Sequence, residues 1–276
     1  MRLQRFNLHS PNTAKGRTTI ADAAPVVDVG DWLQKIVGSG ETVVLPILAR
    51  YGTDRLWTRT EFKDQSLPNR TRGCKGALQA SSNDARINAW FKSQSIWEWQ
   101  NRRDSALFSA VKKALASCFD AAASTVGAMV DFDAELGQLV FTYGTADGSY
   151  HRDRIHSMSD GYRGTLSLFA DIAYRMAMLN PALGDRVLKT PGVVMIDKID
   201  LHLHSRWQAR ILEGFVRIFP NVQFIVTRHL PVVVASVPRD NICVLNGETA
   251  SVPATETHGR DAGDILITVL DASLRP

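Results

Sequence analysis

Hydrophobic and polar positions fall into two regimes along this chain. Val193-Val194-Met195-Ile196 is a short unbroken apolar run, bounded by Pro191-Gly192 and ending in Asp197. Such a run predicts a fully buried, parallel strand. A second run, Gln223 to Thr227, ends in Arg228-His229-Leu230-Pro231. Between them, Trp207, Ile211, Leu212, Phe215 and Ile218 recur at three- and four-residue spacing, which predicts a helix over Arg206–Phe219 with one apolar face. Strand, helix and strand form a βαβ unit with Asp197 at one strand end and His229 just beyond the next. Ligands of open α/β sheets bind at the carboxyl ends of the strands.

The rest of the chain fills in around this unit. Residues 1–42 are weakly patterned, with a short helix over Gly30–Val37. Val43–Ala49 reads as a strand. Asn83–Trp99 and Asp104–Ala122 read as helices, the second carrying Leu107, Val111, Leu115 and Cys118 on one face. Trp90, Trp97 and Trp99 are read as packing aromatics rather than a base-stacking platform. Val130–Phe132 and Leu139–Tyr143 read as strands, with a turn at Ala146-Asp147-Gly148 returning the chain through Tyr150. A broad apolar face from Leu166 to Leu179 predicts a helix that opens near Ser159 and stops at Asn180-Pro181. Ser159 has two readings: an N-cap supported by Asp160, or, with Gly161, a phosphate contact at a helix start.

Composition narrows the setting without naming a chemistry. The chain has 276 residues, 45% hydrophobic, enough for one large domain or two small ones. No run approaches the roughly 18–20 apolar residues of a membrane span, and Met1 to Asn7 lacks a signal-peptide core, so the expected setting is cytoplasmic. Cys74, Cys118 and Cys243 have neither metal-ligand nor disulfide spacing. A formal net charge of +4 permits an acidic partner such as nucleic acid and does not require one.

Three stretches carry a family resemblance. Gly192 through Gln208 with Phe219–Thr227 resembles the Walker B, D-loop and His-switch of ABC-type ATPases of the AAA-labelled prokaryotic branch, related to chromosome-maintenance and recombination-repair heads. Met158-Ser159-Asp160-Gly161-Tyr162-Arg163, running on to Asn180-Pro181, is similar to that branch's ABC signature. Tyr51-Gly52-Thr53-Asp54-Arg55-Leu56-Trp57 and Glu256–Leu266 resemble its marker and tail motifs. The resemblance implies an α/β fold: an incomplete ABC-type ATPase head with a largely parallel sheet. It divides the chain into a segment 1–42 and an ATPase-like domain 43–276. That domain holds a helical insertion at about 83–122, a signature helix at 159–180 and a Walker-B to His-switch core at 192–231.

The resemblance also assigns roles. ATP and Mg²⁺ are the implied cofactors, with Asp197 on the metal through water. Ser159 and Gly161 would contact the γ-phosphate of a nucleotide held by an opposing protomer, Asp200 would lie in the D-loop and His229 would be the switch. A homodimer or a P-loop-bearing partner follows, and DNA or a nuclease is the family's usual company, including in anti-phage systems. Three departures stand against this. Lys198 replaces the catalytic Glu, an ammonium where a proton acceptor is needed. Ser205 replaces Pro, and Arg228 and Leu230 replace Thr and Ser. The sequence also contains no Gly-Lys dipeptide and hence no P-loop, which in the family precedes the Tyr51 marker. Without the first strand and P-loop helix a buried sheet edge should be exposed, which invites pairing with another chain or aggregation. Two functional expectations remain open: an ATP-binding protein of the ATPase family, degenerate or dependent on a partner for the P-loop, or a catalytically dead interaction or regulatory module or decaying gene product.

Overall fold

The computed structural model describes residues 24–53, 70–78, 84–123, 125–201, 203, 205–208, 210–228, 230–246 and 249–269. Its central feature is a three-stranded parallel sheet of β1 (Ile47–Tyr51), β5 (Gly192–Ile196) and β6 (Val222–Val226). β5 lies in the middle, with Ile47 opposite Gly192 on one side and Gly192 opposite Val222 on the other. The fold is therefore α/β around a parallel sheet, as the apolar runs predict.

β1 starts four residues later than the sequence suggests, and the reason is local. Pro46 has no N–H to give to a ladder. Before it, the Leu45 N–H donates to Asn180 Oδ1 at 2.8 Å and the Leu45 carbonyl accepts from Asn180 Nδ2 at 2.8 Å. Arg70 donates to the Val43 carbonyl. Side chains have taken the backbone groups that a longer strand would need.

Helix α4 (Asp160–Leu179) covers one face of the sheet. Ser159 and Asn180 sit at its two caps, matching the predicted limits. The sequence shows one apolar face; the structure buries Ser167, Asp171 and Arg175 as well, so α4 is enclosed on nearly all sides. The predicted helix between β5 and β6 divides into α5 (Ser205–Gln208) and α6 (Ile211–Ile218), with Arg210 between them. Phe215 of α6 stacks on Phe169 of α4 at 4.0 Å and lies 5.1 Å from Phe224 of β6. Both crossovers of the parallel sheet thus pack on the same face.

Helices α2 (Asp84–Asn101) and α3 (Ala106–Ala123) precede an antiparallel meander of β2 (Val126–Asp133), β3 (Gln138–Gly144) and β4 (Tyr150–Arg154). Phe119 of α3 packs on Phe141 and Tyr143 of β3. Trp90 is buried edge-on to Phe91, Phe108 and Tyr174, a core residue as expected, whereas Trp99 is exposed. Helix α1 (Ala24–Gly38) extends the short helix expected at 30–37. Toward the C-terminal end, α7 (Pro231–Val234) and α8 (Ala262–Thr268) enclose a small second core of Val234, Ile265 and Val269, beside the hairpin β7 (Val244–Asn246) and β8 (Thr249–Ser251).

Candidate functional site

Asp197 follows the last residue of β5, the middle strand. Its N–H donates to the Tyr51 carbonyl at 2.8 Å, which extends the β1–β5 ladder by one residue. Its carboxylate accepts a hydrogen bond from the Thr227 hydroxyl at the end of β6. The same hydroxyl accepts from the Lys198 N–H at 3.0 Å, and the Ile199 N–H donates to the Thr227 carbonyl at 3.1 Å. Thr227 therefore fixes the direction in which the chain leaves the sheet. Sequence reasoning gave Thr227 no role, although its place at the end of an apolar run, level with Asp197, was visible.

Lys198 is exposed and its φ is +46°, in the left-handed region that side chains other than glycine rarely adopt. The turn it makes leads into Asp200 and Leu201. Asp200 is half-buried, and its charge reaches Arg228. Burial pushes the Arg228 guanidinium down to about 10, while the Asp200 charge works in the opposite direction. Arg228 also donates to the Leu230 carbonyl. His229, the switch-like residue, lies outside the described residues, as do His202 and His204.

Ser159 and Gly161 sit at the other end of the site. Ser159 has the extended backbone of an N-cap, and its carbonyl accepts from the Arg163 N–H, but its side chain makes no capping bond. The simple capping reading of the hydroxyl is thereby corrected: Asp160 bonds Arg163 at 2.9 Å, and the Ser159 side chain is exposed to solvent. One residue along, Tyr162 meets the Trp207 ring of α5 edge-on at 4.6 Å, joining the signature-like turn to the segment after Asp200.

A buried polar cluster sets where these two ends lie. The Tyr51 hydroxyl donates to Asp171 Oδ2 at 2.7 Å, Arg175 Nε donates to the same oxygen at 2.7 Å, and Arg86 donates to Asp171 Oδ1 at 2.9 Å. Burial alone would raise the Asp171 carboxyl; Arg175 first, then Arg86 and the Tyr51 bond, outweigh it and hold the group below its ordinary range. Arg175 also donates to the carbonyls of Gly73 and Lys75. Gly73 must be glycine, because a Cβ there would lie 2.8 Å from the Arg175 carbonyl. The Tyr51 marker, whose role the sequence leaves blank, thus pins β1 to the middle of α4.

The pinning yields a distance. Asn180, at the end of α4, bonds Leu45 at the start of β1, while Asp171 bonds Tyr51 at its end, so α4 runs antiparallel to β1. Ser159 precedes Asp171 by twelve residues, about 18 Å along a helix rising 1.5 Å per residue. It therefore lies toward the carboxyl end of the sheet, beyond the point where Asp171 meets Tyr51. The sequence-predicted residues that the structure describes fall into two groups toward the same end of the sheet, not one cluster.

A single carboxylate at a strand end suits Mg²⁺, which keeps several waters and is bound chiefly through substrate phosphates. It does not make a closed metal cage, and no group of three or more potential ligands occurs among the described residues. No helix among the described residues is long and apolar enough to cross a membrane.

No family model matches the chain. It is 36% identical over 126 residues to the retron Vc95 probable ATPase of Vibrio cholerae serotype O1 biovar El Tor, covering 44% of this chain and 24% of that protein. It is 38% identical over 120 residues to the retron Ec83 probable ATPase of Escherichia coli, covering 43% and 22%. To the Septu protein PtuA of Bacillus mycoides (strain KBAB4) it is 33% identical over 138 residues, covering 50% and 17%. The match thus spans less than a quarter of each relative's length. Among solved structures, an SMC ATPase studied for ATP-driven dimerization overlaps 64% of this chain and 97% of its own, at 17% identity and a TM-score of 0.38. The Smc head bound to the C-winged helix domain of ScpA overlaps 52% and 41%, at 20% identity and a TM-score of 0.35. Over roughly half of its length the chain is thus similar to the retron probable ATPases and to the Septu protein PtuA.

Proposed function

We propose that the chain contributes two half-sites to a composite, ABC-type ATP site. Asp197 serves a nucleotide cradled by a P-loop on a partner chain, and Ser159 with Gly161 serves a second nucleotide across an interface. What supports this is the separation between Asp197, next after the last residue of β5, and Ser159, twelve residues before Asp171 at the start of α4. One nucleotide held by one chain would not span them. The exposed Ser159 hydroxyl and the α4 N-terminus supply hydrogen-bond donors and a positive dipole end for phosphate. Asp197, oriented by Thr227, would hold Mg²⁺ through water; the metal, when bound, would neutralise phosphate charge. Asp200 lies where the two protomers would meet.

Hydrolysis is a separate matter. Lys198 cannot accept a proton from an attacking water while it is an ammonium. A second reading, a silent interaction module that binds without turnover, is favoured by that residue. Sedimentation of the chain with a P-loop-bearing partner, with and without ATP and Mg²⁺, tests the composite site. Nucleotide-dependent association that is lost in Asp197→Asn and Ser159→Arg supports it; no association under any nucleotide condition rejects it. Adding Lys198→Glu to the associated complex then separates the readings. A clear gain of ATP hydrolysis sinks the silent-module reading, and unchanged background turnover supports it.

A further inference from the structure

Away from the strand ends, α3 packs on the 3₁₀ segment Pro181–Lys189 and on α6, and a groove of about 570 Å³ lies between the three. The sequence makes it hollow. Ala106, Ala110, Lys113 and Ser117 recur at four- and three-residue spacing and so share one face of α3. Three of these side chains are too short to fill the space before Leu188 and Ile218, which line it as well. A cleft of several hundred Å³, mostly carbon with a few placed polar groups, is the usual form of a small-molecule site.

The charges in the groove are not met by the chain itself. Lys113, Arg217 and Asp185 line it, and among the described residues neither cation forms an ion pair or a hydrogen bond. Two cations against one carboxylate leave an excess of one positive charge. The Arg217 charge also reaches α3: burial pushes the Cys118 thiol up, and Arg217 works in the opposite direction. We infer that this groove binds a small amphiphilic monoanion, an apolar body carrying one carboxylate or sulfonate. Its acid lies by Lys113 and Arg217, and its body lies along Ala106, Ala110 and Leu188. A neutral apolar molecule would leave the excess charge unmet, and an inorganic anion would leave the carbon lining wet. Arg217 belongs to the crossover that joins β5 to β6, so such a ligand ties that crossover to α3.

The test titrates the full chain, without nucleotide, with anilinonaphthalenesulfonate and with its uncharged parent N-phenylnaphthylamine, both followed by fluorescence. Ala110→Trp fills the groove, and the dye it displaces defines the site, which should amount to one sulfonate per chain. At that site the sulfonate should bind at least about tenfold tighter than the parent. Lys113→Gln and Arg217→Gln, both exposed positions, should each weaken the sulfonate by about tenfold and leave the parent unchanged. Circular dichroism should show the same fold in all three variants. Octanoate should displace the dye, and inorganic phosphate at the same concentration should not. Equal binding of dye and parent, dye binding unaltered by Ala110→Trp or by both Gln variants, or displacement by phosphate as strong as by octanoate overturns the inference. So does a chain that binds no dye, the result expected if another part of the chain fills the groove.

Discussion

Lys198 shows how much a single residue can depart from what its position asks. It stands where the resemblance requires a carboxylate, and it does so with a backbone angle that costs a side-chain-bearing residue about 1 kcal/mol or more. Thr227 holds this backbone by accepting the Lys198 N–H. Lys198→Gly should therefore stabilise the chain by about 0.5–1 kcal/mol, read as a higher urea midpoint at an unchanged slope. A lower midpoint would mean that the lysine side chain contributes more than its strain removes. Asp197 and Lys198 could be picked out from the sequence because an acid after four apolar residues is conspicuous. Thr227 and Arg228 were less visible, because their roles come from hydrogen bonds and charge across about thirty residues of chain, which no local pattern carries.

Elements were more legible than contacts. The apolar runs gave β5 and β6, and the long periodic stretch gave α4 with its caps at Ser159 and Asn180. β1 was displaced because Asn180 and Arg70 occupy the backbone groups of Leu45 and Val43. The burial of Asp171 and Arg175 within α4 was hidden for a related reason: charged residues at those positions read as solvated until Tyr51, Arg86 and the carbonyls of the 70–78 segment arrive to meet them. Gly192 offers the sharpest test at this scale. Its φ is +156°, and a Cβ there would stand 2.0 Å from the Ile47 carbonyl oxygen, inside the β1–β5 pairing. The obstacle is backbone, so no side chain can rotate away. Gly192→Ala should cost about 3 kcal/mol or more, seen as a large drop in the denaturation midpoint. A neutral effect would mean that β1 and β5 do not pair in this register.

For the molecule as a whole, the Asp171 cluster joins β1, the 70–78 segment, α2 and α4, and its charge state should be felt globally. Asp171 is held below its ordinary carboxylate range in the folded chain. A group whose folded value is depressed contributes stability that is fully present above its unfolded value, near pH 4, and is lost as pH falls through the folded value. Tyr51→Phe removes one hydrogen bond to the ionised form and keeps the ring. At pH 7 it should cost about 1.5–3 kcal/mol, the range for a hydrogen bond to a charged group. Below pH 4, as Asp171 protonates, the gap between the two proteins should narrow, and the acid limb of the Tyr51→Phe curve should begin at higher pH. Urea titrations of both proteins between pH 7 and the acid limit measure this. A gap that stays constant across the range would show that Tyr51 contributes packing alone, and that β1 is tied to α4 without the ionised carboxylate.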